Sequence, residues 1–373
     1  MQKDIESQFA YLKFSQICLG LLAFFYILYV AHDLLVPLVL AALIAILLNP
    51  AVKFLHRRMN RVLAIIIVLV LAAIVIGAIV YFVATQLMQF TEAAPQFKER
   101  FLELWNQIIV WASDKFNLSR GEVNESVTKM QSETVNKMTE GLGQTLGSIG
   151  GTLSMVVLLP IYVFMILLYK PMIVVFIEKL FKKEQKPVVD EVMHQTQSII
   201  QSYLVGLLLE IALVTALNSI GLLIIGVDYA VLLAFIGALL NLIPYLGAIV
   251  AMVLMTVITF ATKSPSAALW VALLYLFVQF IDNNFILPKV VGSKVKINAF
   301  VSILAVLVGG AIWGVAGMFL AIPLVALAKI IFDRVKPLEP FGYILGDDMP
   351  ETNAPTLRLK ERLNRIKKLS AKK

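Results

Sequence analysis

The apolar residues of this chain run in unbroken blocks instead of recurring singly at helical or strand spacing. A helix needs about 20 consecutive apolar residues to cross a hydrocarbon layer of about 30 Å. Blocks near 14–31, 34–52, 62–85, 150–169, 203–225 and 266–287 meet that length. In lipid every backbone N–H and C=O must be satisfied within the segment or in a closed barrel, and no alternating apolar pattern supports a barrel. The expected fold is therefore an all-α polytopic membrane protein. Composition agrees, with 60% hydrophobic and 15% charged residues, far from the balance of a water-soluble domain.

The net charge of +8 raises nucleic acid as a partner, but the basic residues sit at block ends and in the C-terminal tail, which suits anionic headgroups better. Lys53, Arg57, Arg58 and Arg61 follow the second block, and Lys170, Lys179, Lys182, Lys183 and Lys186 follow the fourth. The link between the first two blocks carries His32 and Asp33 but no Lys or Arg. The positive-inside bias then puts the basic loops and the N-terminus in the cytoplasm, and the opposed-hairpin layout below keeps the C-terminus there too. The first block lacks a small-residue cleavage site and reads as an uncleaved helix. Cys18, the single cysteine, permits no disulfide within the chain and no thiolate cluster.

Residues 86–149 carry eight acidic and six basic residues, with Phe97, Phe101, Leu104, Trp105 and Ile108 at helical spacing. They read as a small extramembranous helical segment, either a cap or partner surface or an amphipathic connector on the headgroups. Gly143, Gly147 and Gly151 then recur every fourth residue, allowing close helix approach in an oligomer or within the chain. The expected units are N-terminal helices (1–85), the extracytoplasmic segment (86–149), central helices with a basic loop (150–225), a transport core (226–335) and a basic tail (336–373). Arg358–Lys373 holds eight basic residues and reads as a surface helix or a solvated tail.

Two apolar blocks are too long for one crossing. Ala230–Thr262 would reach about 50 Å as one helix at 1.5 Å per residue, and it is interrupted by Asn241-Leu242-Ile243-Pro244-Tyr245-Leu246-Gly247, where proline removes a donor and pushes the preceding residue from helical dihedrals. Asn298–Phe332 repeats the situation, with Gly309, Gly310, Gly314 and Gly317 near its centre and Pro323 beyond. Matched Gly/Pro breaks point to a transporter binding site, because unwound backbone survives at membrane depth only where protein or a cavity surrounds it. Each block is a kinked span, two short spans or a re-entrant hairpin. Two hairpins entering from opposite faces put Lys289, Lys294 and Lys296 inside, with Lys263 outside, so the favoured layout is six full spans plus two re-entrant hairpins. An eight-span reading is the alternative.

Polar residues within the spans are the candidate sites. Glu210 stands alone in the fifth span as a proton or cation ligand, or as a structural carboxyl. Gln279, Asp282, Asn283 and Asn284 gather at the end of the sixth, with the first three on one face of a continuous helix. That set suits a polyhydroxylated solute, or it is a polar helix end. Asn241 caps freed backbone or touches substrate; Tyr245 contacts substrate or packs. His32, His56 and His194 form no HExxH pair and no Walker loop is present, so neither a zinc hydrolase nor an ATP-driven pump is expected. No cofactor is expected.

The stretch QFIDNNFILPKVVGSKVKINAFVSILAVLVGGAIWGVAGMFLAIPLVALAKIIFDR, with NLIPYLGAIVAM before it, resembles the bacterial autoinducer-2 exporter family. The resemblance implies an inner-membrane carrier with two helical hairpins, an elevator-like cycle and homo-oligomers, pentamers among them. Some members are linked to autoinducer-2 export and others to sodium/proton exchange. By matching motifs it assigns Pro244 and Gly247 to the first hairpin, Asp282, Asn283, Pro288 and Gly292 to the connection, and Gly310, Gly314, Gly317 and Pro323 to the second. Substrate identity does not carry over.

Overall fold

The computed structural model describes residues 2–116, 153–244, 246–290 and 297–347, and among them every regular element is helical. Helix α1 is Gln2–Val30, α2 His32–His56, α3 Arg61–Phe116 and α4 Leu153–Leu180. Helix α5, Lys186–Ile225, ends on Gly226 in the left-handed conformation, the usual glycine stop. Then come α6 Ala230–Asn241, α7 Leu246–Thr262 and α8 Pro265–Ile281. A π-helical turn, Asp282–Ile286, leads into the short α9, Leu287–Val290. Helix α10 is Ala299–Phe332 and α11 is Glu339–Leu345.

Six helices are long and apolar enough to cross a membrane, so this is an all-α, multi-pass membrane protein. The set differs from the expected one at both ends. The described apolar part of α1, Ser15–Val30, is shorter, and Ala299–Phe332 qualifies by length although it is broken midway. Helix α3 runs on through residue 116, carrying the third span into the first half of the expected extramembranous segment. The rest of that segment, the Gly143, Gly147 and Gly151 stripe, Tyr245, Gly292 and the tail 358–373 lie outside the described residues.

Both overlong blocks turn back on themselves. Helices α6 and α7, with 12 and 17 residues, are roughly 18 and 26 Å long, so neither covers the hydrocarbon layer alone. They pack side by side: a Cβ on Gly237 would strike Met255, and one on Gly247 would overlap the Leu240 carbonyl. The second reversal is at Trp313 (φ −126°, ψ 15°) and Gly314 (φ 61°, ψ −143°). Gly309 and Gly317, which would be about 12 Å apart along a straight helix, lie backbone to backbone, and a Cβ on either would overlap the other's carbonyl. Only glycine permits that approach.

The two hairpins open at opposite ends of α5, whose 40 residues span about 60 Å. At its C-terminal end the Lys263 ammonium, just past α7, donates to the carbonyls of Ile225 and Gly226. Tyr229, at the start of α6, donates its hydroxyl to Gln89 of α3 at that same end. At the N-terminal end of α5, Arg334 beyond α10 meets Glu191 at 3.2 Å and also donates to Gln195. Asn298 caps α10 through Val301 N–H and ties to the carbonyls of Ile344 and Gly346 in and after α11.

Apolar packing divides the helices into two groups joined along a seam. Ala41, Ala45, Ala64, Ile65, Val163 and Leu167 bind α2, α3 and α4 into one cluster. Leu222, Leu233, Ala251, Met255, Val271 and Tyr275 bind the end of α5, the first hairpin and α8 into another. At the seam Val36 and Leu43 of α2 meet Tyr203 and Leu207 of α5 and Leu320 of the second hairpin, with Leu242 and Trp313 from the two hairpin tips against them. Both tips therefore converge beside α5 at residues 200–207.

Candidate functional site

Beside that convergence lies a cluster of buried polar groups. Asn241 is the last helical residue before the first tip. Its Nδ2 donates to Asp282 Oδ2 at 2.9 Å and to Glu210 Oε1 at 3.3 Å. One amide thus ties the first hairpin to α5 and to the π-helical turn after α8. Glu210 is 5% exposed and Asp282 1%.

The second carboxylate oxygens, Glu210 Oε2 and Asp282 Oδ1, are buried without a hydrogen-bond partner. Among the described residues neither carboxylate forms an ion pair. Two acidic groups in an apolar setting without a basic side chain favour a bound proton or cation as compensation. The oxygens left over are the atoms that would receive it.

Sequence reasoning treats Glu210 as isolated and joins Asp282 to Gln279 and Asn283, and the structure divides these groups differently. Gln279 Nε2 does donate to Asn283 Oδ1 at 3.3 Å, but on the exposed face. Asn284 returns its amide to the Phe280 carbonyl. Asp282 turns inward, alone of the four to be buried. The helix is not continuous through this stretch: the π-helical turn begins at Asp282, and its wider winding changes which side chains share a face. Pro288 is exposed. Gly310 packs against Met318, so Gly310, Gly314 and Gly317 shape the second hairpin and are not among the hydrogen-bonding groups of the cluster.

Two tyrosines were missed. Tyr203 and Tyr275 are buried and lie within electrostatic reach of Glu210 and Asp282 respectively, and the Tyr275 hydroxyl has no partner. Each precedes its carboxylate by seven residues, two turns along one helical face. The sequence carried that signal.

The family model described as AI-2E family transporter matches residues 19–336. The chain is 27% identical over 327 residues to "Putative transport protein YhhT" of Escherichia coli (strain K12), covering 87% of this chain and 91% of that protein. It is 23% identical over 305 residues to "Putative transport protein YueF" of Bacillus subtilis (strain 168), covering 79% and 82%. Against "AI-2 transport protein TqsA" of Escherichia coli (strain K12) identity is 25% over 322 residues, covering 85% and 90%. With a match that runs through both hairpins and the carboxylate cluster, this chain belongs to the AI-2E transporter family.

Proposed function

We propose that the chain is an ion-coupled carrier exporting a small polar solute by an elevator-like cycle, in which α5, α8 and both hairpins shift against α2, α3 and α4. The observation carrying this reading is the Asn241 bridge between Glu210 and Asp282 at the tip of the first hairpin. A hairpin tip fastened to two uncompensated carboxylates couples its position to whatever neutralises them. The separate apolar cluster of α2, α3 and α4 supports a static frame. The name of TqsA as an AI-2 transport protein makes autoinducer-2 the first solute to try, with the polar face at Gln279, Asn283 and Asn284 as a second contact for it.

The basic end of the helices, including Lys53, Arg61, Lys170 and Lys336, supports an inner-membrane orientation with both termini in the cytoplasm. Apolar side chains exposed along α3 and α4 suit membrane lipid and a homo-oligomer, for which the family resemblance suggests a pentamer. Sodium/proton antiport is the second reading, favoured by the unpartnered Glu210 Oε2 and Asp282 Oδ1. Uptake and efflux in proteoliposomes, with autoinducer-2, sodium and proton gradients compared in parallel, distinguish the two. Autoinducer-2 movement abolished by Asn241→Leu supports the exporter, and sodium-driven pH change lost in Glu210→Gln supports the antiporter. No movement of any of the three would overturn both and favour a membrane scaffold.

A further inference from the structure

A cavity of about 800 Å³ opens at the basic end of the helices, far along α5 from the first hairpin's mouth. Its walls are α2, α4, the first turns of α5 and the outgoing arm of the second hairpin, and they are overwhelmingly apolar. Asn49 of α2 lines it while only 6% exposed, and its Nδ2 has no hydrogen-bond partner. Thr196 Oγ1, also on the wall, is buried and unpartnered. A buried amide N–H without an acceptor is unfavourable, so the cavity favours a ligand that brings one.

Charge identifies what would complete it. Lys170 lies on the wall and donates to Gln197 at 3.0 Å, but forms no ion pair among the described residues. Lys53 and Arg61 are near enough to act on it electrostatically, and Arg61 donates to the Leu167 carbonyl one turn earlier on α4. Three positive charges that form no ion pair among the described residues adjoin an apolar cleft that offers hydrogen-bond donors inside.

We infer that this cavity is a binding site for an anionic phospholipid of the adjoining leaflet. Its phosphate rests on Lys170, Arg61 and Lys53. Its ester carbonyls accept from Asn49 and Thr196, and an acyl chain fills the apolar interior. Because Leu327, Ile331 and Arg334 of the second hairpin form one wall, the lipid wedges between that arm and α2 and α4. The site is independent of which solute the carrier moves.

The test is native mass spectrometry of the full chain released from nanodiscs made of equal parts phosphatidylglycerol and phosphatidylcholine. The wild type retains phosphatidylglycerol preferentially. Lys170→Gln lowers that preference about fivefold, the equivalent of one basic contact at a membrane surface. Ala42→Phe, which fills the cavity from α2, removes the retained lipid, whereas Lys183→Gln, outside the cavity, changes nothing. Equal retention of the two lipids by the wild type would overturn the site. So would an Ala42→Phe variant that keeps its phosphatidylglycerol, or a Lys170→Gln effect no larger than that of Lys183→Gln. Lys170→Gln alters a partly exposed side chain and keeps a hydrogen-bonding group, so its reading does not depend on Ala42→Phe folding.

Discussion

Replacing Asn241 by leucine, which has the same branching and the same number of side-chain heavy atoms, should destabilise the protein chiefly through the two carboxylates it leaves without a donor. The two contacts are unequal. At 2.9 Å the bond to Asp282 is in the middle of the normal range, and at 3.3 Å the bond to Glu210 lies just beyond it, since N–H···O distances run about 2.7–3.2 Å. Hydrogen bonds to charged groups contribute about 1.5–3 kcal/mol in water-soluble proteins, but couplings within membrane helices average about 0.6 and reach about 1.7 kcal/mol. Taking the upper end for the short bond and the average for the long one gives coupling energies of about 1.5 kcal/mol for Asn241 with Asp282 and about 0.5 kcal/mol with Glu210. The single variant should then lose about 2 kcal/mol. Double-mutant cycles with Asp282→Ala and Glu210→Ala, read as unfolding free energies in mixed micelles of mild detergent and dodecyl sulfate, measure both terms. A Glu210 coupling equal to or larger than that of Asp282 would refute the ranking by distance, and neither coupling above about 0.3 kcal/mol would refute the bridge.

Two glycines of the second hairpin should resist substitution for different reasons. Gly317→Ala drives a methyl into the Gly309 carbonyl, and Gly314→Ala meets open space but holds alanine at φ 61°, ψ −143°, where essentially only glycine is found; each should cost about 1–3 kcal/mol, read as a lowered midpoint in thermal unfolding. With the single native cysteine replaced, as Cys18→Ala, cysteines introduced at Lys263 and Lys336 should react with an impermeant thiol reagent from opposite sides of the membrane, and labelling of both from one side would contradict hairpins that open at opposite ends of α5.

The lengths of the apolar blocks were legible from sequence because hydrocarbon thickness sets them, and so were both reversals. Pro244 and Gly314 each mark a place where a helix cannot continue unchanged. The pairing of Glu210 with Asp282 was not legible. It runs through Asn241, 31 residues from one and 41 from the other, and helical periodicity cannot report a contact made between elements. Grouping Asp282 with Gln279 and Asn283 assumed an α-helix where the chain takes a π-helical turn, and nothing in DNNFI announces that turn. Tyr203 and Tyr275 were within reach, since each repeats its carboxylate's face two turns earlier. Asn49 was hidden differently: nothing in the sequence sets it apart, and it gains meaning only where α4 and the second hairpin join α2 around a cavity.

The length of α5 constrains movement more than any side chain does. Lys263 fastens the mouth of one hairpin to its C-terminal end, and Arg334 fastens the mouth of the other near its N-terminal end. A hydrogen-bonded helix of 40 residues neither stretches nor shortens appreciably. The distance between the two mouths is thus set by a rod, and a displacement along its axis at one end is carried to the other. The hairpins cannot open independently by sliding apart; they travel as cargo on a common shaft, and whatever holds that shaft against its frame holds both.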